Sequence, residues 1–176
     1  MNLEKYTVKS QEALQKSTEI ASSNGQQAIE PGHLLKALLE TDENVFSFIF
    51  DKMGVNKEVV ERQASHLIEA YPKVSGSSPY LSQDTTKILS DSEKEARALK
   101  DEFISVEHLF LGLISGTEKV GKFLKELGVK KNTAIELIKE CVRFVAQQAE
   151  KNSIGIDNAT AESTPRYTQI DRGQLK

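Results

Sequence analysis

The chain has 176 residues, 28% of them charged, and a formal net charge of −3. That balance excludes the strongly basic face that a nucleic-acid partner demands, and no apolar run approaches the roughly 18 residues that a membrane-spanning helix needs. The single cysteine, Cys141, allows no internal disulfide and fits a reducing, cytoplasmic setting.

The opening stretch, Met1-Asn2-Leu3-Glu4-Lys5-Tyr6, lacks the apolar core of a signal peptide. Thr7 stands where a helix N-cap belongs. Behind it, Ala13, Leu14, Ser17 and Ala21 recur at three- and four-residue steps with charged residues between them. That spacing predicts an amphipathic helix, which Asn24-Gly25 ends by supplying a left-handed residue. Pro31 suits the first position of a second helix, running to about Glu40 and apolar on most sides, hence buried. A third helix is expected from Val45 to Met53, stopped by Gly54, and a fourth from Glu58 to Ala70. Pro72-Lys73-Val74-Ser75-Gly76-Ser77-Ser78-Pro79 then reads as a loop.

After that loop the pattern begins again. Ile29-Glu30-Pro31-Gly32-His33-Leu34-Leu35-Lys36-Ala37-Leu38-Leu39 has a partner in Ile104-Ser105-Val106-Glu107-His108-Leu109-Phe110-Leu111-Gly112-Leu113-Ile114, with the two histidines 75 positions apart. At the same offset Thr7, Leu14, Ser17 and Ala21 fall on Ser82, Leu89, Ser92 and Ala96. After a one-residue deletion, Met53-Gly54-Val55 falls on Leu127-Gly128-Val129. Such self-similarity marks a duplicated supersecondary unit. Ser82 and Ser105 become the second set of caps. The later helices run from Lys119 to Leu127 and from Thr133 to Ala149. Period-two alternation and hairpin turns are nearly absent. The expected fold is all-α, with about eight helices in two four-helix repeats: residues 1–71, a loop over 72–80, residues 81–150, and a polar, flexible tail over 151–176.

Candidate chemistry is sparse. A zinc site wants three or four ligands at defined spacing. His33 and His108 have no second ligand one turn away, and His66 stands alone. Each repeat histidine reads as a packed residue at the base of a buried helix, one ring nitrogen bonded to backbone. Cys141 sits among apolar residues of a predicted helix, where a reactive thiol is not expected. Neither a Gly-x-Ser-x-Gly stretch nor a phosphate-binding P-loop motif occurs. These gaps argue against a small hydrolase. What remains is surface recognition: helical grooves lined by aliphatics bind peptide segments with little demand for sequence. Thr7, Asp101 and Glu107 stand at or just before helix starts, beside the apolar helices of each repeat. They read either as caps and solvated charges or as the polar rim of such a groove.

Thr7-Val8-Lys9-Ser10-Gln11-Glu12-Ala13-Leu14, Ile29 to Leu35 and Phe103-Ile104-Ser105-Val106-Glu107-His108-Leu109 resemble the double Clp N-terminal domain of bacterial Hsp100 (Clp) AAA+ unfoldases. The resemblance covers about residues 1–150. Tyr71-Pro72-Lys73-Val74-Ser75-Gly76 and the Glu30-Pro31 form of the first copy look closer to ClpB disaggregases than to ClpA or ClpC. The resemblance implies a non-enzymatic module, monomeric when isolated, that captures unfolded or aggregated polypeptide, or an adaptor, for an ATP-driven Clp ring. ATP would be bound by ATPase modules outside this chain, and no cofactor by the chain itself. Carried over by motif, Thr7, Asp101 and Glu107 are expected to support polypeptide binding, with Leu89 and Leu109 in an adjoining apolar groove. Gly32 stands where ClpC relatives carry an acidic residue in the first copy, which argues against symmetric two-site phosphoarginine binding. The alternatives are a stand-alone accessory protein that docks onto a Clp ring in trans, or a ClpC- or ClpA-type domain that binds adaptors.

Overall fold

The computed structural model describes residues 1–74 and 76–154. Among them are eight α-helices: α1 (Val8–Ser23), α2 (Pro31–Thr41), α3 (Glu43–Met53), α4 (Lys57–Ala70), α5 (Gln83–Ala98), α6 (Val106–Ser115), α7 (Lys119–Glu126) and α8 (Lys131–Ile154). The all-α class and the duplicated four-helix plan are therefore the observed ones. Most of the expected tail lies outside the described residues. No helix among the described residues is long and apolar enough to cross a membrane.

Local chemistry repeats with the sequence. The Thr7 hydroxyl oxygen accepts from the Ser10 amide at 3.2 Å, and the Ser82 hydroxyl oxygen accepts from the Thr85 amide at 3.1 Å. Each cap satisfies an otherwise orphaned donor of a first turn. Pro31 opens α2, and Gly54, in the left-handed region at φ 69°, closes α3. α1 ends on Gly25 at φ 66°; its counterpart after α5 is Lys100, also left-handed at φ 60°. The bonds around the two match: Gly25 N–H to Ser22 O and Lys100 N–H to Arg97 O, both 3.0 Å.

The near absence of strand signals needs one correction. Two short parallel pairings join the repeats. β1 (Ala28–Ile29) pairs with β2 (Tyr80–Leu81), and Tyr6 bridges to Ile104. They are the same pairing made twice, because Leu81 and Ile104 are the counterparts of Tyr6 and Ile29. In each, the segment before one repeat's first helix pairs with the segment before the other repeat's second helix. The Thr7 amide donates to Ile104 O at 3.0 Å and the Ser82 amide to Ile29 O at 3.1 Å. Strands of two residues are too short for period-two alternation to register in the sequence.

The most deeply buried helices are α2 and α6, one from each repeat. Their flanking helices close one continuous aliphatic core, with Leu34, Leu35, Leu38, Leu109, Leu111 and Leu113 fully buried. Phe46 and Phe50 of α3 meet Phe110 of α6 edge-on, with ring centroids 5.1 and 5.7 Å apart. Such offset ring pairs add to simple area burial. The hydrophobic core is thus shared between the repeats.

Candidate functional site

Each repeat carries a buried histidine in the first turn of its inner helix. His33 Nδ1 accepts from the Glu30 amide at 2.9 Å, and His108 Nδ1 accepts from the Ser105 amide at 2.8 Å. A nitrogen that accepts an amide proton is unprotonated, so each ring carries its own proton on Nε2. His33 Nε2 donates to Gln26 Oε1 at 2.6 Å, and His108 Nε2 donates to Asp101 Oδ2 at 2.8 Å. Gln26 and Asp101 are themselves counterparts in the two repeats. Burial pushes both imidazoles down to about 4. For His108 this prevails over the upward pull of Glu95. The expected packing, one ring nitrogen on backbone, is what the structure shows; of the Nε2 partners, Asp101 is singled out in the sequence for another role, and Gln26 has no signal until the repeat offset matches it to Asp101.

The five expected polypeptide-binding residues occupy different depths. Thr7 is 6% exposed and doubly engaged, its oxygen capping α1 and its amide bonded to Ile104. Asp101 is half-buried and fixes the His108 tautomer. Leu89 is buried, and Leu109 is fully buried in the core. The groove-lining expectation for Leu109 is thereby corrected, because α6 is surrounded on every side and leaves that side chain no surface to offer.

Glu107, second residue of α6, is also inside. It is 1% exposed, and among the described residues neither carboxyl oxygen has a partner in good hydrogen-bond geometry. Burial pushes its pKa up to about 8, the negative charge of Asp42 adds to this, and the nearby Ser105 hydroxyl only partly offsets it. Burial thus favours the protonated acid. Its counterpart Gly32 leaves room for Tyr71, whose hydroxyl accepts from the Gly32 amide at 3.1 Å. A Cβ on Gly32 would sit 2.8 Å from that oxygen. Cys141 of α8 is buried, and desolvation, followed by the charges of Glu107, Glu140 and Asp42, pushes its thiol up to about 12. Among the described residues no group of three or more His, Cys, Asp or Glu side chains could hold a metal ion.

The surface features lie elsewhere. Leu3 and Val8 are 45% and 55% exposed, on either side of the Tyr6–Ile104 bridge in sequence. Phe103, next to Ile104, is half-buried. All three lie within a few residues of the bridged pair in sequence. Sequence periodicity overlooked them because each is a single apolar residue at an element end. At the equivalent place in the second repeat, beside β2, an open depression of about 420 Å³ is lined by Leu81, Gln83, Thr86 and Ser90 together with charged residues of α5. A further open depression, of about 590 Å³, is walled by Glu43, Ser47, Asp51, Asn56, Glu58 and Glu61 among others and is mainly polar.

Comparison with known proteins gives this geometry a context. Residues 5–127 match the model of the Clp repeat (R) N-terminal domain. The chaperone protein ClpB of Porphyromonas gingivalis is 40% identical over 154 residues, which cover 86% of this chain but 18% of that relative. Among solved structures, the Hsp104 N-terminal domain from Candida albicans aligns with a TM-score of 0.66 at 18% identity, covering 75% of this chain and 87% of that one. The ClpV N-domain solved in complex with VipB peptide aligns with a TM-score of 0.61 at 15% identity, covering 74% of this chain and 82% of that one. At these identities the solved structures establish the shared fold.

Proposed function

We propose a polypeptide-capturing role, on the premise that the chain belongs to the Clp repeat (R) N-terminal domain family. In this reading the chain is the substrate- or adaptor-binding N-terminal domain of a ClpB-type disaggregase. It acts as a binding module, monomeric when dilute and cytoplasmic, that hands unfolded or aggregated polypeptide to an ATP-driven ring. The chain spans about a fifth of the ClpB relative it matches, and ATP chemistry belongs to the remainder of such proteins.

The observation that carries the reading is the exposed apolar side chains of Leu3 and Val8, with half-buried Phe103, next in sequence to the hydrogen-bonded junction of the two repeats. A surface of this size favours weak, reversible contact, which suits a module that must release its client. A peptide bound to the ClpV N-domain supports the same use of the fold. Thr7 and Asp101 serve as positioning residues beneath the patch, one tethering Ile104 and the other locking His108. His33 and His108 are engaged through both ring nitrogens, and Cys141 is buried.

Titration with a chemically unfolded model protein tests this. Val8→Asp is expected to weaken binding about tenfold, the loss of roughly one apolar side-chain contact, with the helical circular dichroism unchanged. Equal affinity of the variant and the parent would overturn the placement of the patch. Asp101→Ala is expected to weaken binding and lower stability together, and Asp101→Asn, which keeps an acceptor for His108, to restore most of both.

A further inference from the structure

The outer faces of α1 and α5 carry inverted charge. At the repeat offset Glu12, Lys16 and Glu19 of α1 fall on Lys87, Asp91 and Lys94 of α5, so the sign is reversed at every position. On each helix the three residues follow at steps of four and three, and therefore share one face. The two glutamates and two lysines are exposed, while Lys16 and Asp91 are half-buried. The two faces also differ in relief. The α5 face holds the open depression of about 420 Å³ with Leu81 in its wall. At the position of Gln83, also in that wall, α1 has the exposed apolar Val8.

We propose that α1 of one copy of this chain docks against α5 of a second copy. A minus-plus-minus row meets a plus-minus-plus row with every charge opposed, whether the helices run parallel or antiparallel. Part of the charge is already paired within the chain: Lys87 with Asp91 at 2.7 Å, Lys94 with Asp91 at 3.5 Å, and Lys16 with Glu40 at 3.2 Å. Asp84, one turn before Lys87 and also exposed, leaves the α5 row neutral overall, while the α1 row together with Glu40 keeps a negative excess. The contact is heterologous: a copy that has used its α1 still offers its α5. Repetition gives an open chain, or a ring where the rotation closes. Exposed ion pairs contribute little each and are screened by salt, so dilute chains stay monomeric. The contact forms where copies are held at high local concentration, as around a ring. The ring setting rests on the proposed function; the test does not.

Sedimentation equilibrium of the full chain at low ionic strength, from micromolar to millimolar concentration, should show reversible association that added salt abolishes. K87E/K94E and E12K/E19K should each lower the association constant about tenfold or more. Their equimolar mixture should recover it, because each variant then presents the complement of the other. K119E/K122E, on the exposed face of α7, carries the same net charge as K87E/K94E and should associate like the parent. A monomer at every concentration, variants that associate like the parent, or equal loss in the α7 control would overturn the proposal. Client binding is read on dilute chains, where this self-association is absent, so failure here leaves the proposed function standing.

Discussion

Lys100 holds a conformation that its counterpart Gly25 adopts without strain. The left-handed region costs a residue with a Cβ roughly 1–2 kcal/mol, and glycine gives some of this back through the entropy of the unfolded chain. Lys100→Gly is therefore expected to raise the unfolding free energy by about 0.5–1 kcal/mol, read from urea denaturation. The titrating residues set a pH optimum. His33 and His108, pushed down to about 4 from 6.5, take up protons in the unfolded chain first, so stability falls as pH drops from 6.5 towards 4. His33 shows this more cleanly, since its partner Gln26 is uncharged. Glu107 has the opposite sign. With its pKa raised to about 8, the folded state holds a proton that the unfolded state has lost, so stability falls as pH rises towards 8. Each group contributes a slope of about 1.4 kcal/mol per pH unit within its window. Stability should peak near pH 6.5, and Glu107→Gln should remove the alkaline decline while leaving the acid side in place.

At the level of elements, α8 divides in two. Its first half buries Ala134, Leu137, Ile138 and Cys141 and packs against α3 and α6; beyond it no described side chain is buried, and Phe144 is 61% exposed. Helix without tertiary packing is marginal. Hydrogen exchange should therefore show strong protection up to about residue 141 and rapid exchange over the last turns, where uniform protection would contradict the division. The helices themselves were legible from the chain because their signals are local: Thr7 and Ser82 as caps, Pro31 as a starter, Gly54 as a stop. Depth was not legible. A glutamate in the first turn of a helix is ordinarily solvated, and Glu107 is buried only because residues distant in sequence, Asp42 and Cys141 among them, close around it. Lys100 escaped for the opposite reason, since lysine gives no local sign of a left-handed residue.

The whole molecule is held by a reciprocal exchange, each repeat lending its leading segment to the other, above a core in which Phe46 and Phe50 meet Phe110. Neither repeat holds all its own contacts. Residues 1–74 and residues 76–154, produced separately, are expected to be largely unfolded by near-ultraviolet circular dichroism and to regain native signal on mixing. A cooperative transition in either fragment alone would show that the repeats are independent. Joining the halves in one polypeptide has a further outcome. A dimer of identical subunits must accept every substitution twice, once on each side of its axis. Here the tether frees each site from its twin, so glutamine can stand at 26 where aspartate stands at 101, and glycine at 32 where glutamate stands at 107. Specialisation could then proceed one mutation at a time, with an unaltered half still supporting the fold.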